Sequence, residues 1–188
     1  MISEDRFQKF DWGDFYPNAC KPIPLYMLRP IGKSVLTHCF VDSNHAGDKT
    51  TRRSMTGIIT FCNRSPIIWH NKRKNGVETS TFRSEFTDMK NSVKMIAALR
   101  YKLRMFGVPI DGSTEIFCDN EAVYKNASTP KSQLRKKYHS ISYHMSREAL
   151  ASGACRTAKE DTKTNLLYLF TNMITQTRRE LLLDSFTY

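Results

Sequence analysis

Residues 34–48 read SVLTHCFVDSNHAGD, and the reading of the fold turns on them. Leu36, His38 and Phe40 alternate with Val35, Thr37, Cys39 and Val41. That period of two, in a run rich in β-branched and aromatic residues, is the pattern of a strand. Asn44, Ala46 and Gly47 then end the pairing. A carboxylate at the end of such a strand, Asp42, is held at the rim of a sheet, where open α/β folds place their ligand sites. Taken alone, the same stretch also describes an aspartate that merely caps a loop.

Downstream, TGIITFCN and SPIIWHN are short apolar runs with Asn63, Arg64, Ser65 and Pro66 at their junction, which reads as a hairpin. Three successive strands from Val35 then form an antiparallel meander. The basic turn KRKNG, Lys72 to Gly76, leads into a helix capped by Thr79, Ser80 or Thr81. Phe82, Phe86, Met89, Val93, Ile96, Leu99 and Leu103 follow helical spacing, and Gly107 with Pro109 stops the run. Glu85 shares that apolar face, either as a surface acid stabilised by the helix dipole or as a carboxylate aimed at the sheet.

The pattern of Asp42 recurs in GSTEIFCDN, an apolar run ending in Asp119 and followed at once by the helical stretch EAVYKNAS. A strand reached through a long helix lies parallel to its partner by a right-handed crossover, which brings Asp42 and Asp119 to one edge. TPKSQLRKKYHS opens a further helix with Tyr138, Ile141, Met145 and Ala149 inward and Gly153 as its stop. ACRTAKE is a last strand and DTKTNLLYLFTNMI a last helix, with Thr164, Tyr168 and Thr171 on the flank away from its apolar residues. The amphipathic tail QTRRELLLDSFTY adds a turn or two. The whole is an α/β fold: a mixed five-stranded sheet, its first three strands antiparallel, flanked by helices.

Residues 1–33 hold Trp12, Phe15, Tyr16 and four of the seven prolines. This is too aromatic for a free linker and too proline-rich for a helix. They read as an irregular connection arm, packed on the domain at 34–188 or the stub of something upstream. Lys and Arg number 29 against 18 Asp and Glu, a net charge of +11, which favours a polyanionic partner, nucleic acid or an acidic membrane face. The basic groups Lys72, Arg73, Lys74 and Lys131, Arg135, Lys136, Lys137 track a phosphate backbone or are a solvated face. No run is long and apolar enough for a membrane span and the N-terminus is not a signal peptide, so the expectation is a soluble, unexported protein. Five scattered cysteines without a CxxC pair read as reduced core residues, not a zinc site.

The acids come in the order Asp, Glu, Asp. Carboxylates at one rim repel and stay ionised only around a hard cation, for which oxygen-rich sites select Mg²⁺ or Mn²⁺. In a polyanion binder such a cluster predicts phosphodiester cleavage with two metals about 3.5–4 Å apart. The stretches VDSNHAGDKTTRRSMTGIITF, IIWHNKR, ETSTFRSEF, ALRYKLRMFGVPIDG, IFCDNEAVYKN, KKYHSISYHMSREALASG and AKEDTKTNL resemble the RNase H region of copia-type retrotransposon polyproteins. The resemblance runs from about Lys33 to Tyr188. It implies an RNase H-like fold, cleavage of the RNA strand of RNA–DNA hybrids, and a place at the C-terminal end of a polyprotein with a reverse transcriptase region upstream as partner. It also implies an intracellular setting, a cytoplasmic virus-like particle or the nucleus. By it, Asp42, Glu85 and Asp119 are the catalytic and metal-binding acids.

One departure matters. Where the family commonly has NLADLFTK, this chain has NLLYLFTN, so Tyr168 replaces the fourth acidic ligand and Asn172 the lysine. A phenol is neutral at pH 7 and a poor ligand where a carboxylate is expected. Impaired cleavage, or a non-catalytic nucleic-acid- or protein-binding relic of the fold, are the two readings left open. An integrase or transposase shares the fold but orders its acids Asp, Asp, Glu, which is not the order here.

Overall fold

The computed structural model describes residues 11–20, 25–44, 50–75, 81–131, 140–161, 164–167, 171 and 175–183, the side chains of 81–83, 178 and 181–183 excepted. The elements are β1 (Thr37–Asn44), β2 (Met55–Cys62), β3 (Ser65–Arg73), α1 (Thr81–Met105), β4 (Thr114–Cys118), α2 (Glu121–Ser128), α3 (Ser140–Ala151), β5 (Cys155–Lys159) and α4 (Gln176–Leu183). The five strands form one sheet in the order β3-β2-β1-β4-β5. β1, β2 and β3 pair antiparallel, while β4 lies parallel to β1 and β5 parallel to β4. This is the mixed five-stranded sheet that the alternation and the long crossover helix foretell.

Period-two burial divides the core between the two faces of the sheet. Cys39, Val41, Ile58 and Ile116 meet Phe86, Met89, Val93 and Ile96 of α1, with Val123, Tyr143 and Leu150 from α2 and α3. On the other face, Ile59 and Phe61 pack with Leu166, Leu167 and Phe40. α1 ends as its sequence dictates: Gly107 has φ 70°, its N–H bonds the Arg104 carbonyl, and the Val108 N–H reaches back to Leu103. Those bonds satisfy carbonyls that have no partner within the helix, and only glycine adopts that φ without strain.

Two sequence expectations need correction. The inward face of α3 is Tyr143, Ser146, Arg147 and Leu150, whereas Ile141 is 81% exposed. The rotation follows from Arg147, whose buried guanidinium bonds main-chain carbonyls and turns the helix to reach them. Cys20 is exposed, unlike the buried Cys39, Cys118 and Cys155. In the arm, Tyr16 Oη lies 2.8 Å from His144 Nδ1 and Trp12 packs against the main core. Its end is stitched to the turn after α1 through Ile31 N to Gly107 O and Val35 N to Pro109 O.

Candidate active site

Asp42 lies within β1, two residues before its end, and is 6% exposed. The parallel ladder pairs Val41 with Cys118, so Asp42 and Asp119 are the next residues on adjacent strands. Glu85 enters from the start of α1. Its carboxylate is bonded by the side chain of Asn120 and feels the charges of Asp119 and Asp42. All three acids therefore stand at one end of the sheet, where two strands and one helix meet.

The carboxylates of Asp42 and Glu85 are held by their surroundings. Asp42 Oδ1 accepts from the Ser43 N–H at 2.9 Å, and Oδ2 accepts from the Thr171 hydroxyl. Asn120 caps α2, its Oδ1 accepting from Ala122 N and Val123 N, while the same side chain serves Glu85. Burial pushes the Asp42 pKa up to about 6, with the charge of Asp119 adding and the Thr171 hydrogen bond opposing. Glu85 is pushed up to about 8, by burial first and then by the Asp119 charge. Desolvation and like charge act in the same direction on an acid.

Among the described residues, no three His, Cys, Asp or Glu side chains are grouped closely enough to hold one metal ion as they stand. This is compatible with the electrostatics, because Coulomb repulsion in a partly dry site acts over longer distances than metal–ligand bonds. The acids feel one another's charge without sharing a ligand shell.

Sequence reasoning missed the support beneath the acids. Asp88 is wholly buried and its Oδ2 lies 3.0 Å from Lys74 Nζ. Its Oδ1 accepts from Thr56 Oγ1 at 2.8 Å. Lys74 Nζ also donates to Ser84 O at 2.6 Å and Ser84 Oγ at 2.8 Å, and Ser84 Oγ lies 2.5 Å from Ser43 Oγ. Lys74, expected on a basic turn as a phosphate contact, is thus engaged inside the protein by two hydrogen bonds and an ion pair. A signal existed: Asp88 interrupts the buried face of α1 between Phe86 and Met89, and a buried acid requires a cation.

Lys72 and Arg73 are exposed at the end of the edge strand β3. They border a groove of about 260 Å³ that also takes in His70, Asn75, Thr87 and Asn91. Arg135, Lys136, Lys137 and Tyr168 lie outside the described residues. No described helix is long and apolar enough to cross a membrane.

No protein-family model matches the chain. Its sequence is 27% identical over 146 residues to a retrovirus-related Pol polyprotein from transposon RE1 of Arabidopsis thaliana, covering 78% of this chain and 10% of that protein. It is 23% identical over 150 residues to the corresponding polyprotein from transposon TNT 1-94 of Nicotiana tabacum, covering 80% and 11%. The chain thus spans about a tenth of the length of the relatives it matches. Among solved structures, LC11-RNase H1 in complex with RNA/DNA hybrid superposes with a TM-score of 0.53 at 8% identity, covering 69% of this chain and 88% of that one. The N-terminal RNase H domain of rv2228c from Mycobacterium tuberculosis, solved as a fusion with maltose binding protein, gives 0.56 at 9% identity and coverage of 81% and 99%. The foamy viral protease-reverse transcriptase in complex with RNA/DNA hybrid gives 0.50 at 12%, covering 87% and 23%. The resemblance to Pol polyproteins of copia-type transposons holds in sequence, and that to RNase H in fold.

Proposed function

We propose that this domain hydrolyses the RNA strand of RNA–DNA hybrids with Mg²⁺ or Mn²⁺ held by Asp42, Glu85 and Asp119. The observation that supports this most is the meeting of these three acids where β1, β4 and α1 converge, with Glu85 held up to about 8 by burial and by its acidic neighbours. The donor set fits a hard divalent cation: positive charge placed among the three carboxylates offsets the burial and the like charge that raise the pKa values of Asp42 and Glu85. When bound, such ions supply Lewis acidity at the scissile phosphate.

The chain's own residues supply the geometry. Ser43 N and Thr171 Oγ1 fix the orientation of Asp42 and leave lone pairs on both its oxygens. Asn120 fixes Glu85, which in the metal-free protein keeps its proton at neutral pH and releases it as a cation enters. Lys72 and Arg73, with Arg135, Lys136 and Lys137, contact hybrid phosphates without sequence preference. Discrimination of hybrid from duplex rests on groove shape and 2′-hydroxyl contacts. Residues 34–188 act as one unit, with the arm at 1–33 joining it to the reverse transcriptase region of the same polyprotein.

A second reading, a non-catalytic relic that binds nucleic acid or protein, is favoured by the lack of a preassembled three-acid ligand group among the described residues. Hydrolysis of a labelled hybrid by the purified protein, with Mn²⁺ affinity measured by calorimetry, separates the two. The expected result is Mn²⁺ binding with weak cleavage that requires Mn²⁺ or high Mg²⁺, is abolished in Asp42→Asn, and is strengthened in Tyr168→Asp. Full Mg²⁺-dependent activity would show that Asp161 or a water replaces the missing ligand. A Tyr168→Asp variant that gains neither metal affinity nor cleavage makes the relic the better reading.

A further inference from the structure

We infer that Lys74 is a positioning residue that clamps the first turn of α1, bearing Glu85, to β1, bearing Asp42, and is not a phosphate contact. The inference deepens the nuclease reading and rests on it only for the consequence at the metal. Lys74 follows β3, and its own N–H, bonded to Ser54 O at 2.8 Å, fixes the start of that turn. Its side chain is 11% exposed and that of Asp88 is fully buried. The ammonium donates to Ser84 O and Ser84 Oγ at 2.6 and 2.8 Å and forms an ion pair with Asp88 Oδ2 at 3.0 Å.

The contacts continue to both acids. Ser84 precedes Glu85, its Oγ meets Ser43 Oγ at 2.5 Å, and the Ser43 N–H bonds Asp42 Oδ1 at 2.9 Å. Asp88, one turn further along α1, is tied to β2 by Thr56. The clamp therefore joins β1, β2, the turn after β3 and the helix start. The first turn of a helix is held least by its own backbone, and here side-chain contacts from Lys74 and Ser43 tie it to the sheet. To reach a phosphate, Lys74 would have to leave Asp88 charged and unpaired in the interior, which is strongly unfavourable.

The test compares Lys74→Met, Lys74→Met/Asp88→Leu and Lys72→Ala with the parent in the full chain. The readouts are amide hydrogen exchange without metal, Mn²⁺ affinity by calorimetry, and the salt dependence of hybrid binding. In Lys74→Met, exchange at residues 84–88 is faster, Mn²⁺ binding is about tenfold weaker, and the salt slope is unchanged. Lys72→Ala instead lowers the slope by about 1 and leaves exchange alone. Where Lys74→Met fails to fold, the double variant carries the test: with both charges gone it regains the melting temperature, yet keeps fast exchange and weak Mn²⁺ binding. Parent-like exchange and Mn²⁺ affinity in the double variant would overturn the inference, as would a slope lowered by about 1 in Lys74→Met. Faster exchange in a protein whose parent binds no Mn²⁺ supports the clamp and overturns only the nuclease reading.

Discussion

Lys74 and Arg147 are both cations withdrawn from water, and the chain accommodates them differently. Lys74 lies against a buried carboxylate, Asp88, beneath the acidic rim. The Arg147 guanidinium bonds the carbonyls of Thr129 and Pro130 and the Tyr143 hydroxyl, with the rings of Trp12, Tyr16 and Tyr143 at 5.1, 5.8 and 4.6 Å. The difference follows from the groups. An ammonium is a compact, strongly hydrated charge, whereas the planar, weakly hydrated guanidinium is well served by carbonyls and aromatic faces. The consequences also differ: Lys74 ties charge to the helix that carries Glu85, while Arg147 ties the N-terminal arm, the end of α2 and α3 into one body.

Removing Arg147 is expected to have the largest effect on stability. Arg147→Met leaves carbonyls at Thr129 and Pro130 without this donor and the rings of the arm without a cation, for a loss of about 3–5 kcal/mol in urea unfolding. Trp12 fluorescence shifts red as the arm lifts, and in whatever fraction stays folded Mn²⁺ affinity is unchanged. A loss under about 1 kcal/mol would break the comparison, because the arm would then be an ornament on a domain that stands without it.

Gly57→Ala tests the other flank of the rim, which neither cation touches. Gly57 pairs with Asp42 across the ladder, and a Cβ there would lie 2.8 Å from Thr171 Cγ2 and 3.5 Å from Leu167 Cδ2. Thr171 must move, and with it the hydroxyl on Asp42. Overpacking of this kind costs about 1–3 kcal/mol. Mn²⁺ affinity should change through Asp42 while hydrogen exchange at residues 84–88 does not; a parallel change in both would mean that the two flanks are one unit.

A more graded effect is that of pH. Asp42 and Glu85 have folded pKa values of about 6 and about 8, above the ordinary carboxylate values near ~4 of an unfolded chain. A raised acid favours the fold while protonated, so its contribution is fully present below about pH 4 and is lost as pH rises through the folded values. The melting temperature of the metal-free protein should therefore fall between about pH 4 and pH 8.5, as Mn²⁺ affinity rises over the same window. Asp42→Asn/Glu85→Gln should flatten the first curve; if it does not, the acids are not the titrating groups.

Much of the architecture was legible because short-range pattern and long-range position agree. Alternation from Val35 marks β1, the spacing from Phe86 to Leu99 with Gly107 marks α1, and EAVYKNAS is α2 residue for residue. The strand-ending acids were legible for the same reason, since a parallel crossover leaves Asp42 and Asp119 at one end. What escaped was the partnering of charges. A lysine in a basic turn looks like a surface lysine until the helix packed against it proves to carry a buried acid. Arg147 was invisible likewise: its acceptors include main-chain carbonyls, which any sequence has, and two of its three rings, Trp12 and Tyr16, come from over a hundred residues away.

The smallest expected effect separates the parts of the Lys74 clamp. Ser84→Ala deletes a hydroxyl that meets both Lys74 Nζ and Ser43 Oγ, at 2.8 and 2.5 Å. The Ser84 carbonyl remains to accept from Nζ at 2.6 Å, and the ion pair with Asp88 at 3.0 Å is untouched. The change removes two hydrogen bonds of one buried hydroxyl together with the hydroxyl itself, so no polar side-chain atom is left stranded on the helix. Ser43 Oγ can turn wholly to Asp88, to which it also bonds. The net cost should be about 1 kcal/mol, with Mn²⁺ affinity lowered far less than in Lys74→Met. Equal losses in the two variants would move the weight of the clamp from the ion pair and carbonyl to the Ser43–Ser84 contact, and the lysine would then serve mainly to neutralise Asp88.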